Sequence, residues 1–444
     1  MKSRHLPAPR WRQNQDLFKR NQRRKRQLKR LPFYILIPGI FFGTLVFYWL
    51  SGSPPAEMPG RPTANPPADN ARMHIWPEDF SRDDLAGLLQ NSFTSSRNFS
   101  ARVTFEKNGT SFDIQTTIDE NLQKYVTRLL GWSRTHQAAV VVINPYDGRI
   151  LSMSSRDRQT KGTNLCVRAD FPAASLFKIV SASAALEAAG YTPDQSLHYT
   201  GSRYTLYRYQ LKTAEGRYSV RTTLRKAFAV SNNAVFGKIG MYDLGPAVLA
   251  DYADRFRFNR PIPFDLPVTA STFVVPENDF GLAEVSSGFN KKTLVSPLHA
   301  ALIVSAVVNN GRMASPWLVS TIADRDKRLL YRARPGALTR PIDRDTAREL
   351  KLMMQDGVRY GTTRTAFREF RQSKKFEAVH FGSKTGTIND RGDRFKYDWI
   401  AAFALTPKPS ESICVAVLAV HGKLLGTRAV EMAGAVIRYH LSSL

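Results

Sequence analysis

Cysteine is nearly absent from this chain: Cys166 and Cys414 are the two among 444 residues. Two thiols are too few for a disulfide framework, so the fold has to rest on its apolar core. The sequence leaves open whether they pair. Histidine is sparse as well, with eight residues, no His-Glu-x-x-His, no cluster and no paired-cysteine motif beside them. A metal site is therefore not expected, nor a cofactor, and His380 and His421, which flank strand-like runs, are read as structural. No Gly-x-Ser-x-Gly elbow and no Walker motif occurs, which argues against an α/β-hydrolase and a P-loop enzyme. Internal repeats are lacking too.

Acid is the next scarcity. Against 64 Lys and Arg stand 37 Asp and Glu, a formal charge of +27. Residues 1–30 hold 12 of the basic residues and one acid, Asp16, which leaves 52 basic against 36 acidic residues beyond Arg30. A basic tail by itself invites a nucleic-acid reading. The next segment argues against it. Residues 31–50, LPFYILIPGIFFGTLVFYWL, carry no charge, and twenty residues at 1.5 Å rise span about 30 Å, the thickness of a bilayer's hydrocarbon core. Phe33, Tyr34, Tyr48 and Trp49 stand at its two ends, where interfacial aromatics belong. The block RRKRQLKR directly before it keeps residues 1–30 in the cytoplasm by the positive-inside rule and places everything after Ser51 outside. Cleavage at Ser51-Gly52-Ser53 is the rival reading, but the charged region is long and the apolar run is full membrane length. An uncleaved single-pass anchor is expected, with the tail contacting anionic lipid and no nucleic acid as partner.

Residues 51–70, rich in Pro, Gly and small polar side chains, read as a semi-extended linker, and residues 71–111 as a short juxtamembrane element. From residue 112 to 444 a compact domain is expected, its 43% apolar and 11% aromatic content (chain-wide values) being enough for a real core. FDIQTTID reads as a strand, with Asp119 capping a helix from Glu120. Residues 138–155 read as a hairpin around Asn144-Pro145-Tyr146-Asp147-Gly148. A helix is expected from about Ala173 to Ala189, and a mainly helical middle over roughly 220–310. Strands follow at 379–387, 399–405 and 413–420, with a last helix from about Thr427. Strands at both ends with helices between predict an α/β (α+β) fold: an antiparallel sheet from both ends of the domain, flanked by helices.

Three short motifs carry chemistry. Ser175-x-x-Lys178 stands at a helix start, where three-residue spacing puts the amine beside the hydroxyl. A serine needs a neighbouring base and a stabilised oxyanion to act as a nucleophile, and a lysine with a lowered pKa can be that base. Ser231-x-Asn233 lies at another helix start, where the ordinary role of such a serine is to cap the helix. Its chemical role would be to relay a proton, with Asn233 fixing substrate. Lys384-Thr385-Gly386-Thr387 lies on a strand, where the cation and hydroxyls suit a carboxylate and Gly386 admits a ligand close to the backbone. Each motif alone is commonplace. Their order, 56 and then about 150 residues apart and each in the required context, is not.

That ordered set, with TTIDENLQ, AAVVVINPYDGRILSMSS, residues 281–316, Gly361-Thr362 and YDWIAAFAL, resembles the transpeptidase domain of penicillin-binding proteins over roughly residues 112–440. The resemblance implies acylation of Ser175 by a D-Ala-D-Ala stem peptide of peptidoglycan, loss of D-alanine, and transfer to an amine of a second stem. It implies Lys178 as base or relay and Ser231 as proton shuttle, with Asn233, Lys384, Thr385, Gly386 and Thr387 at the substrate. It also implies an oxyanion hole from the N–H groups of Ser175 and Thr387, acylation by β-lactams, and a glycan polymerase or another cell-wall protein as partner at the bacterial inner membrane. Ser383 departs from the glycine common there. The stretch before the domain leaves no room for a glycosyltransferase domain, so a bifunctional class A enzyme is not expected. A D,D-carboxypeptidase would differ only in using water as acceptor. A class A β-lactamase would need a Glu-x-x-Leu-Asn that is missing, and a class D enzyme has Ser-x-Val as second motif. A sensor or non-catalytic scaffold that binds penicillin is the remaining alternative.

Overall fold

The computed structural model describes residues 100–107, 110–160, 162–212 and 216–444. The tail, the apolar run at 31–50, the linker and most of the juxtamembrane element lie outside the described residues. Among those described, no helix is long and apolar enough to cross a membrane.

Asp119 starts the first helix, its carboxylate accepting from the N–H groups of Asn121 and Leu122, both at 3.0 Å. In α1 (Glu120–Trp132) the buried residues Leu122, Val126 and Leu130 recur every four positions and form the inward stripe. The hairpin of β1 (Gln137–Ile143) and β2 (Ile150–Asp157) turns on Asn144, whose side-chain oxygen accepts from the N–H of Tyr146 at 3.0 Å. Gly148 closes the turn at φ +82° with its α-carbon against the Ser315 carbonyl, so no side chain fits there.

A 3₁₀ turn over Ala174–Phe177 runs into α2 (Lys178–Glu187). The helical middle contributes α3 (Asn233–Lys238), α4 (Asp279–Ser287), α5 (Pro297–Val308) and α6 (Arg344–Arg359). The chain then lays down β3 (His380–Asn389), β4 (Lys396–Leu405) and β5 (Ile413–His421) and ends in α7 (Ala429–Ser442).

The two groups of strands form one fully antiparallel sheet of order β3-β4-β5-β1-β2. Every residue of β5 is buried, as a strand covered on both faces requires. On one face Val140, Val142, Ile400, Ala402, Val415 and Val417 join Leu122, Val126, Met432, Val436 and Ile437 of α1 and α7 in a single core. The alternate residues of β1, β4 and β5 face α5, a helix buried along its whole length. Each Val, Leu, Ile or Phe among them contributes roughly 1.5–3 kcal/mol on burial. The outer strand β3 is held on one side only and lies beside the 3₁₀ turn.

The expected boundary at residue 112 falls inside a strand. Residues 102–107 pair with 110–116, from Arg102 opposite Gln115 to Lys107 opposite Thr110, and 110–116 pairs in turn with 319–324. This piece belongs to a four-stranded sheet ending at residues 329–332.

Candidate active site

The local fold around Ser175 differs in one useful way from the expected helix. Its first turn is 3₁₀, and α2 starts only at Lys178. In a 3₁₀ turn residues i and i+3 eclipse, so the lysine stacks over the serine. Lys178 Nζ donates to Ser175 Oγ at 2.9 Å. Ala174, just before the serine, has φ +48°, a left-handed conformation that is strained for any residue with a β-carbon. The segment that holds it there is the end of α4. That helix terminates at Gly288 with φ +67°, and a β-carbon on Gly288 would stand 2.0 Å from the Ala174 carbonyl oxygen. The preceding carbonyl, that of Ser287, accepts from Lys178 Nζ.

Lys178 is wholly enclosed. Its amine has three oxygen acceptors, Ser175 Oγ, Ser287 O and, at 2.7 Å, Asn233 Oδ1, and lies 5.7 Å from the centre of the Phe236 ring. Among the described residues no carboxylate is paired with it. Burial first, and the positive charge of Lys384 second, hold the pKa of Lys178 well below the ordinary lysine value. Asn233 was expected to fix substrate. Here its oxygen holds Lys178 and its Nδ2 donates to the Tyr204 carbonyl at 2.9 Å, so both ends of the amide are anchored in protein.

Ser231 does not cap the helix behind it. The cap is Asn232, whose side-chain oxygen accepts from the N–H of Val235 at 3.1 Å. Ser231 itself has φ +58°, and this twist leaves its hydroxyl for Lys384, whose Nζ donates to it at 2.8 Å. Lys384 is buried on β3, also donates to the Thr385 carbonyl at 2.8 Å, and sits 5.7 Å from the Phe228 ring centre. Burial draws its pKa down to about 7.

The rest of the strand bridges the two lysines. Gly386 passes so close to the 3₁₀ turn that a β-carbon there would lie 3.2 Å from the Ser175 nitrogen and 3.1 Å from Ala174 Cβ. Thr385 Oγ1 donates to Thr362 Oγ1 at 2.7 Å, which puts the Gly361-Thr362 element at the strand's flank. Thr387 is exposed, and its Oγ1 donates to Asp398 Oδ1 at 3.3 Å across the sheet. Ser383, in place of the usual glycine, turns inward and shares a 2.8 Å hydrogen bond with Thr363.

Asp398 is the feature that motif reading missed. Burial works against its charge, yet its partners hold the carboxyl down to about 2. Arg428 Nε donates to Oδ2 at 2.9 Å and the N–H of Ala429 at 3.1 Å, while His421 stands 3.7 Å away, at ion-pair rather than hydrogen-bond distance. Ser287, Gly288 and Asn232 were missed as well. The first two lay inside the stretch 281–316, whose only signal was resemblance.

Five of the eight expected residues thus lie in two hydrogen-bonded groups, and the other three follow Lys384 on its strand. Ser175, Lys178 and Asn233 form one hydrogen-bonded set, Ser231 and Lys384 a second, and the Thr385–Thr387 strand runs past Ser175. A cavity of about 560 Å³ lined by Arg359, Phe370, Lys374, Phe376 and His380 holds none of them. His380 begins β3, and at about 3.3 Å per residue it lies about 20 Å along the strand from Gly386. Cys166 and Cys414 are both buried and free.

A helix-flanked antiparallel sheet, with a serine at a helix start beside a buried lysine, defines a class of serine-nucleophile folds. The model of the penicillin binding protein transpeptidase domain matches residues 138–438, and the chain belongs to that family. Stage V sporulation protein D of Bacillus subtilis is 26% identical over 358 residues, covering 75% of this chain and 54% of that protein. Peptidoglycan D,D-transpeptidase PbpA of Mycobacterium tuberculosis is 26% identical over 351 residues, covering 70% of this chain and 67% of its own. The chain thus spans about half the length of the sporulation protein. Among solved structures, the imipenem acyl-enzyme complex of penicillin-binding protein A from M. tuberculosis superposes with a TM-score of 0.60 at 24% identity, over 74% of this chain and 80% of that one. That likeness establishes the fold.

Proposed function

We propose that this protein is a peptidoglycan D,D-transpeptidase working through an acyl-enzyme on Ser175. The observation that carries the reading is the lysine pair: Lys178, buried without a counter-ion, sits 2.9 Å from the Ser175 hydroxyl. In its neutral form the Lys178 amine takes the Ser175 proton as Oγ attacks the carbonyl between the two terminal D-alanines of a stem peptide. The oxyanion that forms is stabilised by the N–H groups of Ser175 and Thr387, which the close passage of Gly386 brings within reach of each other. The C–N bond breaks, a proton relayed through Ser231 goes to the departing D-alanine amine, and an ester remains on Ser175. An amine of a second stem then attacks the ester, gives up its proton along the same route, and frees Ser175 with a new amide cross-link. Lys384, with the hydroxyls of Thr385 and Thr387, holds the terminal carboxylate. Asn233 keeps Lys178 in line. β-Lactams enter as mimics of the D-Ala-D-Ala end. The family match, and relatives named for this activity, support the reading.

The uncharged run 31–50 serves as the anchor, with residues 1–30 in the cytoplasm and the catalytic domain on the outer side of the inner membrane. Fluorescent penicillin added to the full chain tests the assignment. The parent is expected to label stably and Ser175→Ala not at all. Equal labelling of both, or no labelling of the parent, would overturn it.

A further inference from the structure

Beside the site stands a surface that catalysis by the named residues does not use. Residues 203–209, Arg-Tyr-Thr-Leu-Tyr-Arg-Tyr, expose Tyr204, Tyr207 and Tyr209, each more than half accessible, although soluble proteins usually cover most of a tyrosine ring. Exposed rings on a floppy loop would mean little, but this loop is built to stay still. Leu206 and Leu211 are buried in a small core with Met241 and Ala283. The wholly buried Gln210 amide ties the loop to itself: Nε2 donates to the carbonyls of Thr200 at 3.0 Å and Ser202 at 2.8 Å. Its Oε1 accepts from Tyr207 N at 2.9 Å and Thr205 Oγ1 at 3.0 Å. Four hydrogen bonds on one buried amide leave the exposed side chains as the free variable.

Those side chains are arranged as well as exposed. The rings of Tyr207 and Tyr209 lie nearly parallel, 13° apart with centroids at 5.9 Å, and the Arg203 guanidinium stacks 4.8 Å over the Tyr204 ring. No acidic residue occurs between Ser196 and Ala214. A rigid platform of tyrosine with arginine, whose own segment carries no acid and whose Arg208 lies over the Phe280 ring at 4.9 Å near the Glu284 carboxylate, gives large contact area at little entropy cost and suits a flat, partly apolar ligand that carries negative charge. The platform is also joined to the chemistry. Asn233 donates its backbone N–H to the Arg203 carbonyl at 2.7 Å and its Nδ2 to the Tyr204 carbonyl at 2.9 Å, and Asn233 Oδ1 holds Lys178.

We infer that Arg203, Tyr204, Tyr207, Arg208 and Tyr209 form a docking platform for the glycan strand of the polymer substrate, its sugar rings on the tyrosines and the carboxylates of its peptide branches on the arginines. The inference rests on the reading that the substrate is peptidoglycan. It assigns to the site a contact with the polymer that an isolated stem peptide lacks.

The test uses the full chain in detergent, as parent and as a Tyr207→Ser, Tyr209→Ser double variant. Both side chains are more than half exposed, so the fold is expected to survive, and a separate Arg203→Gln variant probes the charge. Three quantities are measured: the rate of acylation by penicillin, binding of soluble uncross-linked glycan strands, and binding of free stem pentapeptide. Penicillin acylation and pentapeptide binding are expected to stay within about twofold, while strand affinity falls about tenfold, the loss of two aromatic contacts. Unchanged strand binding in the double variant overturns the inference and leaves the platform to a protein partner. So does a parent that binds strands no better than pentapeptide. A variant that loses penicillin acylation along with strand binding also overturns it, since the segment would then be only a support for Asn233. If the parent is not acylated by penicillin, the catalytic reading fails, while the strand measurement still decides the platform.

Discussion

Lys384 Nζ lies 2.8 Å from Ser231 Oγ although 153 residues separate them, and the contact repeats the geometry of Lys178 with Ser175 at 2.9 Å. Two lysine–serine pairs therefore share one buried site without a carboxylate to balance them. Each amine is pushed toward its neutral form, Lys178 by burial and by the other lysine's charge, Lys384 by burial. The reading proposed above gives the two opposite duties: one must be neutral to take a proton, the other charged to hold a carboxylate.

Removing the first amine should abolish acylation more than binding. Lys178→Ala is expected to slow acylation by penicillin about 10²–10⁴-fold, the range for loss of a general base. Lys178→Arg should not restore it, because a guanidinium stays protonated. Stopped-flow acylation of the full chain checks both, and a fast Lys178→Arg enzyme would refute the role of base.

The opposed duties fix a pH signature. Acylation per encounter should fall on the alkaline side above pH about 7, as Lys384 loses its proton in the free protein. Lys384→Arg should remove that alkaline limb. Stability carries the complementary sign. The folded pKa lies below the unfolded one, so between about 7 and the ordinary lysine range the unfolded chain binds more protons, and folding strengthens as pH rises through that window. Lys384→Met should flatten this slope in urea titrations at pH 7 and pH 9.

Gly288 should tolerate nothing larger. A β-carbon there would meet the Ala174 carbonyl at 2.0 Å in a conformation that already disfavours side chains. Gly288→Ala is expected to cost about 2 kcal/mol or more in chemical unfolding. It should also slow acylation, because relief of the clash moves Ser287 O and Ser175 apart.

Asp398 should act on stability before it acts on rate. Its carboxylate is buried while Arg428 is half exposed, so Asp398→Asn is expected to cost about 2 kcal/mol, less than for a fully buried pair. Its contribution is present above the ordinary carboxylate pKa and lost as pH falls toward about 2. Acid unfolding of the parent and variant should converge at the low end. The variant's Thr387, freed from Asp398, should bind carboxylate ligands no worse than the parent.

The parts of this molecule readable in advance are those where local rules and the fold agree. Asp119 caps a helix as its residue type suggests, the Asn144 turn closes its hairpin, and the three C-terminal strands fall within a few residues of their apolar runs. The motif residues came into view through their order and its resemblance to a known family, each motif alone being commonplace. What spacing does not encode is which polar atom a neighbour claims. Ser231 and Asn232 are both good caps, and the outcome turned on a φ of +58° imposed by packing. That Asn233 also holds Lys178 was not legible, because the two lie 55 residues apart. The strand at 102–107 was obscured because it is an edge strand, paired on one side only with 110–116.

The sheet order has a consequence for how the chain comes to be folded at all. β1, nearly all apolar, can form its hairpin with β2 at once, but its other edge is covered by β5, about 270 residues later. Closing a loop of that length is slow, and until it closes a bare apolar edge is open to pairing with other chains. The last strand and helix, which contribute no motif residue, therefore decide whether the chain matures or aggregates. A chain stopping at Leu405 would still contain Ser175, Lys178, Ser231, Asn233 and Lys384, and would lack the strand that joins β4 to β1.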